Sequence, residues 1–310
     1  MTLSRWSDDT ENSMESIISN MLNYSNWHVP IKDPLTDEDL QFRITKSFPN
    51  DKTTELNGTE IKYNVINYDY EKVRNGEENN EMRSIRLYPT SGYLVVYSDT
   101  INTQYITNRS NSDPTKTILR KVNNYTGQLE IKSNPYQISE DLFTWMISKV
   151  LNNTEESIDE TSLLSIKKII GFKGSSDDKL AEVIGSGNRI MNSLSTLAFL
   201  FDNEEVTYVK PVIEYNGHTV ELFLNLSGSI DINLENYIGN FFMDPPDEMK
   251  AKLALMISLE TIPKIISNYG NDLTSRTWSV EKKIEFIKSI GEEIQTKVNE
   301  KVRGLEDTEI

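Results

Sequence analysis

The chain has 310 residues, 48 of them acidic and 32 basic, for a formal charge of −16. Its 37 % hydrophobic content includes 14 Tyr, 10 Phe and 4 Trp, enough to fill folded cores and too much for a disordered chain. The absence of cysteine excludes disulfides, thiolate metal sites and cysteine nucleophiles, and two histidines, His28 and His218, exclude a multi-histidine centre.

The charge sets most of the surface against nucleic acid and anionic membranes and in favour of basic partners. The imbalance is uneven: residues 1–152 carry 16 basic against 21 acidic side chains, residues 153–310 carry 16 against 27. Any phosphate contact is therefore expected in the N-terminal half. The opening MTLSRWSDDTENSMES lacks the basic start and apolar run of a secretory leader, and no stretch approaches the ~18 apolar residues of a membrane span. The expected location is the cytoplasm, with no membrane partner.

Met14, Ile17, Ile18, Met21 and Leu22 recur at helical spacing, predicting an amphipathic helix over 9–24 that ends before Trp27 and Pro30. Leu40–Phe48 and Thr59–Tyr68 alternate in strand fashion and flank Asn57-Gly58, a hairpin signal. Met82–Tyr88 and Tyr93–Ser98 predict a second hairpin turning at Pro89–Gly92. Asn102–Ser112 reads as a polar loop. Asp113-Pro114 opens a helix through Asn123, with Asp113 as cap; Gln128–Lys132 follows as a short strand. In Ser139–Leu151, a capping serine and two early acids precede a dense apolar face.

The acidic tract Asn152–Ser162 is the expected boundary between an N-terminal mixed domain (1–152) and a C-terminal domain (163–310). Beyond it, Leu163–Phe172 reads as a strand. Ser175–Asp178 fits a capping box, and an apolar helix is expected over Asn188–Phe201. Val206–Glu214 and His218–Leu226 form a hairpin about Asn216-Gly217, which leaves His218 at the turn, facing solvent or capping it, and Ser229–Ile232 adds a strand. A long helix, Asp247–Tyr269, kinks at Pro263. From Val280 to Val302 apolar residues step by three and four for about six turns. Strands and helices are grouped, so the expected class is α+β: antiparallel hairpins in the first domain, a hairpin sheet with long amphipathic helices in the second.

Two patterns carry chemistry. A carboxylate on one strand with an acid-x-Lys on the next can bind Mg²⁺ and orient an attacking water. Asp113 with Glu130 and Lys132 offers this, helped by Arg120 and Lys121 as phosphate contacts; Asp51 with Glu60 and Lys62 is the other set. Five acid-x-Lys triplets occur in so charged a chain, and alternating charge is also how strand faces stay soluble. Gly185, Gly187 and Arg189 precede a helix and could cradle an anion, although dinucleotide and P-loop spacings are absent. No motif names a family. The expected function is that of a non-catalytic binding or regulatory component acting through protein–protein contacts, with a protein partner or a second copy held by the C-terminal helix and no cofactor or metal. The alternative is a Mg²⁺-dependent nuclease or nucleic-acid-processing factor of a microbial defence or mobile-element system.

Overall fold

The computed structural model describes residues 1–98, 102–152, 158, 163–175, 182–186, 194–201 and 205–306. They fall into two compact units, Met1–Pro135 with Met243–Glu260, and Tyr136–Phe242 with Thr261–Ile310. Each is an antiparallel sheet with helices, so the class is α+β. Apart from Ile158, residues 153–162 of the acidic boundary tract lie outside the described residues.

The first unit opens with β1 (Thr2–Asp8), a strand the sequence did not signal, then α1 (Met14–Leu22), capped by Ser13, whose hydroxyl accepts from the Ser16 amide. β2 (Phe42–Lys46), β3 (Lys52–Leu56) and β4 (Thr59–Val73) follow. Asn57 and Gly58 both have positive φ, as a two-residue primed turn requires. The hairpin they close joins β3 to β4; β2 pairs farther along the same long strand, from Phe42↔Tyr70 to Lys46↔Ile66.

A helical turn, α2 (Arg83–Arg86), leads into β5 (Leu87–Ser98), which pairs with β4 along its whole length. This replaces the hairpin predicted across Pro89–Gly92. Pro89 lies where β5 pairs with β4 only, so its missing N–H disrupts no second ladder. Gly92 is required for space rather than for turning. A Cβ there would run into the Tyr68 hydroxyl and lie 2.7 Å from both Tyr68 Cζ and Asn108 Oδ1. Gly92→Ala is expected to destabilise the unit by about 1–3 kcal/mol, as overpacking does. A denaturant midpoint equal to wild type would contradict that.

β6 (Thr103–Thr107) occupies the stretch expected to be a loop, and α3 (Asp113–Asn123) begins one residue after its cap, Ser112, with Asp113 already helical. β7 (Ile131–Ser133) pairs with β1. The sheet thus runs β2/β3, β4, β5, β6, β1, β7. The central residues of β4, Tyr63 to Ile66, are buried on both faces. Ile66 and Tyr68 belong to the core made with α1 and α3, and the strand is also packed by α6 (Pro246–Met256).

The second unit contains α4 (Glu140–Asn152), β8 (Ser165–Ser175), β9 (Glu182–Ser186), α5 (Leu194–Phe201), β10 (Glu205–Tyr215), β11 (His218–Asn225) and β12 (Ile230–Ile238), in strand order β12-β11-β10-β8-β9. Ser139 caps α4, accepting from the Leu142 amide at 3.1 Å; α4 packs on β8 and β10, and its buried Trp145 meets the Tyr269 ring, centroids 5.7 Å apart. Ser175 is the last residue of β8; the rest of the expected capping box, 176–178, lies outside the described residues, as do 188–193 of the helix expected from Asn188.

The single kinked helix expected over 247–269 is α6, a π-helical segment (Ile257–Thr261) and α7 (Ile262–Ser275), with Pro263 in the first turn of α7. Proline cannot donate to the preceding turn, and the ladder loosens there. α8 (Val280–Glu306) closes the unit and packs against α5. Among the described residues no helix is long and apolar enough to cross a membrane.

Candidate functional site

The loop between β2 and β3 and the start of α6 border a cleft of about 790 Å³ in the first unit. Asn64, fully buried on β4, holds the loop: its amide donates to the Phe48 carbonyl at 3.1 Å and to Asp51 Oδ1 at 2.8 Å. Asp51 is also paired with Lys46 at 2.9 Å and Lys62 at 3.6 Å, while Lys62 reaches Glu15. On the opposite wall Glu248 pairs with Lys52 at 3.2 Å and Lys252 at 3.0 Å, and Asp247 accepts from the Ser47 hydroxyl. Acids and lysines therefore do not merely coat the exterior; some pair with one another along this open cleft.

Burial pushes the Asp51 carboxyl up, but hydrogen bonds from Lys46 and Asn64 outweigh it and hold it below its ordinary value. Glu248 follows the same pattern, with Lys252 and Lys52 outweighing burial. Asp51 and Glu248 are thus ionised and matched by ammonium groups, which suits an electrostatic clasp better than a general acid or an open metal site. Among the described residues no group of three or more His, Asp or Glu is arranged to hold a metal ion.

The sequence-predicted residues are distributed as follows. Asp113 opens α3. Glu130 Oε1 accepts from the Gly127 amide at 2.7 Å, and Lys132 on β7 pairs with Asp9. These three share no hydrogen bond or ion pair with one another among the described residues. Of the second set, Asp51 and Lys62 meet, whereas Glu60 lies opposite Glu55 on the β3–β4 hairpin. Gly185 sits in β9 opposite Phe172, while Gly187 and Arg189 lie outside the described residues.

His218 does not face solvent. It is buried, with Nδ1 2.7 Å from the Tyr237 hydroxyl and its ring against Phe241, because β12 runs on to Ile238 and carries Tyr237 over it. Burial lowers its pKa.

A second, more apolar groove of about 630 Å³ lies in the other unit, lined by Asp141, Leu273, Trp278, Val280, Ile284 and Ile287. Its floor is organised by Asp141, whose Oδ2 accepts from Tyr269 Oη at 2.7 Å and Trp278 Nε1 at 2.8 Å while Lys283 Nζ lies 3.1 Å from Oδ1. In the sequence Asp141 shows itself only as a first-turn acid of α4. Trp278, an aromatic in the short link between two helices, was the available signal for this groove.

α8 carries the apolar stripe outward from that groove. Phe286 and Ile290 turn inward and are buried, and Gly291 lies under the Phe201 ring of α5. Val280, Ile284, Val298, Val302 and Leu305 remain exposed, at 72, 50, 39, 48 and 58 % of their surfaces. No family model matches this sequence, and no curated protein matches it.

Proposed function

We propose that this chain is a non-catalytic binding component that acts through protein–protein contacts made by the outer face of α8, and that the occupant of that face is α8 of a second copy. The observation that supports this reading is the spacing of apolar residues on that face, of which Val280, Ile284, Val298 and Leu305 are exposed and Ile287 and Ile294 half-buried, with exposed Val302 falling outside the period. Val280, Ile284, Ile287, Ile294, Val298 and Leu305 step by four, three, seven, four and seven, the 3.5-residue period of a helix seam that meets another helix. Over 27 residues the seam is about 40 Å long.

An exposed apolar run of this length is costly in water and is the usual mark of an interaction surface. Each second copy offers an identical stripe, so a two-fold pairing closes without any further component. The paired carboxylates of the first-unit cleft favour the same non-catalytic reading.

The experiment is sedimentation velocity over a wide concentration range, comparing wild type with Ile284→Glu/Val298→Glu. Both sites are exposed, so the variant should keep its circular dichroism spectrum. A concentration-dependent dimer in wild type and a monomer in the variant are expected. A wild-type chain that stays monomeric at its highest soluble concentration would overturn the proposal.

A further inference from the structure

On the α-helical face of the first unit, three nitrogen donors converge on one aromatic pair. Phe42 of β2 and Tyr70 of β4 are register partners, with ring centroids 5.9 Å apart. Lys121, in the last turn of α3, places Nζ 4.1 Å from the Tyr70 centroid and 5.4 Å from that of Phe42. Lys72, two residues along β4, places its own Nζ 5.3 Å from the Tyr70 centroid. The imidazole of His28 stacks on Phe42 at 3.9 Å, within 12° of parallel.

Among the described residues neither lysine has a carboxylate within ion-pair distance, although acids outnumber bases by 16 in the whole chain. Elsewhere among the described residues of this unit Lys32, Lys46, Lys52, Lys62, Lys132 and Lys252 are paired with acids, whereas Lys116 and Lys250 are not. Lys72, Lys121, His28 and Phe42 are half-buried, so solvent reaches the site. Two ammonium groups over one ring repel each other, and ring faces offset only part of that cost.

We propose that Lys72, Lys121 and His28 form, over the Tyr70–Phe42 pair, a binding site for a small oxyanion of the phosphate class. A tetrahedral oxyanion has acceptor oxygens for all three donors at once, and charge-assisted hydrogen bonds of this kind are the strong ones. The chain's overall charge of −16 selects against a polyanion and leaves a small phosphate as the fitting ligand. Electrostatics agree with the geometry. Burial, the larger cause, and then the nearby Lys72 lower the Lys121 pKa, and burial and then Lys121 lower that of His28; the second cause in each places like charges close together.

The test is isothermal titration calorimetry with inorganic phosphate at low ionic strength, on the full chain and three variants. Lys121→Met keeps the aliphatic stem over the rings and removes the charge; Lys72→Ala is a second, independent lesion. Lys282→Ala is the control, because Lys282 is exposed and paired with Glu285 in the other unit. Saturable binding by wild type and by Lys282→Ala is expected, weakened about tenfold or more in each of the other two variants. A parallel titration with adenosine monophosphate separates the sources: tighter binding than phosphate points to a phosphate ester, equal or weaker binding to the free ion. No saturable phosphate binding by wild type, or equal weakening in Lys282→Ala, would overturn the proposal.

Discussion

Arg86→Met is expected to lower the melting temperature by on the order of 10 °C. Arg86 and Asp33 are each 1 % exposed. They meet through two parallel bonds, Nε to Oδ1 at 2.8 Å and Nη2 to Oδ2 at 2.7 Å. The remaining nitrogen, Nη1, donates to the Asn80 and Glu81 carbonyls, and Asp33 also accepts from the Leu35 amide at 3.0 Å. The pair therefore pins the segment before β2 and the loop after β4 to the start of β5. Removing the guanidinium leaves a buried carboxylate without its counter-charge, which costs far more than the pair contributes over an apolar replacement. The double variant Asp33→Leu/Arg86→Met should accordingly recover much of the loss.

Acid should narrow the gap between wild type and Arg86→Met. The Arg86 hydrogen bond holds the folded-state pKa of Asp33 well below the ordinary carboxyl range. Its contribution is complete above the unfolded value of about 4 and is lost as pH falls toward the folded one. In Arg86→Met the unpaired, buried Asp33 is pushed up instead, so its penalty is relieved as pH falls. Melting curves at pH 7 and at about pH 3.5 check this. A gap that stays the same in acid would show that Arg86 acts through packing alone.

What could be read in the sequence was whatever short-range chemistry decides. Asn57-Gly58 and Asn216-Gly217 announce primed turns because both positions need positive φ, and both hairpins turn there. Ser139 announces the start of α4 for an equally local reason. β1 was not legible because two of its buried positions are Ser4 and Asp8. Besides the near neighbours Trp6 and Thr10, their partners lie about a hundred residues away: Thr107 for Ser4, and Tyr105 and Tyr125 for Asp8. The Pro89–Gly92 turn was misread because the glycine answers to Tyr68 on a neighbouring strand rather than to its own backbone.

The candidate sites follow the same division. The α8 stripe was visible as a period, but not which residues turn inward, since that depends on where α5 and Phe201 lie. Asp51 and Lys62 were picked out for a metal site, and the structure brings them together. Lys46 and Asn64, supplied by β2 and by the middle of β4, were not foreseeable and turn the set into a clasp. The Lys72–Lys121 site joins a strand to a helix 49 positions later, and no spacing rule connects them.

Asp141→Asn is expected to loosen the start of α8 without unfolding its unit. One carboxylate joins Tyr269 of α7, Trp278 of the link and Lys283 of α8 to the first turn of α4. Burial pushes the Asp141 carboxyl up, but the three donors outweigh it and set its pKa below the ordinary value. Its stabilisation is therefore complete above about pH 4 and declines as pH falls through the folded-state value. An amide of the same shape loses the charge facing Lys283 and must turn an N–H₂ toward one of three donors. The cost should be about 1–3 kcal/mol, toward the lower end because solvent reaches the carboxylate. The contact between α4 and α7 survives, since Trp145 Nε1 donates to Asp272 at 2.9 Å and Lys149 pairs with the same carboxylate at 2.7 Å. The loss should thus localise to Trp278 and the first turns of α8, seen as faster amide exchange there with the β10–β11 hairpin unchanged. Because Val280, Ile284 and Ile287 line the groove above Asp141, the same substitution should weaken dimerisation in sedimentation runs while leaving phosphate binding at Lys121 untouched. Amide exchange spread evenly over the whole unit would instead make Asp141 a determinant of global stability rather than the anchor of one helix.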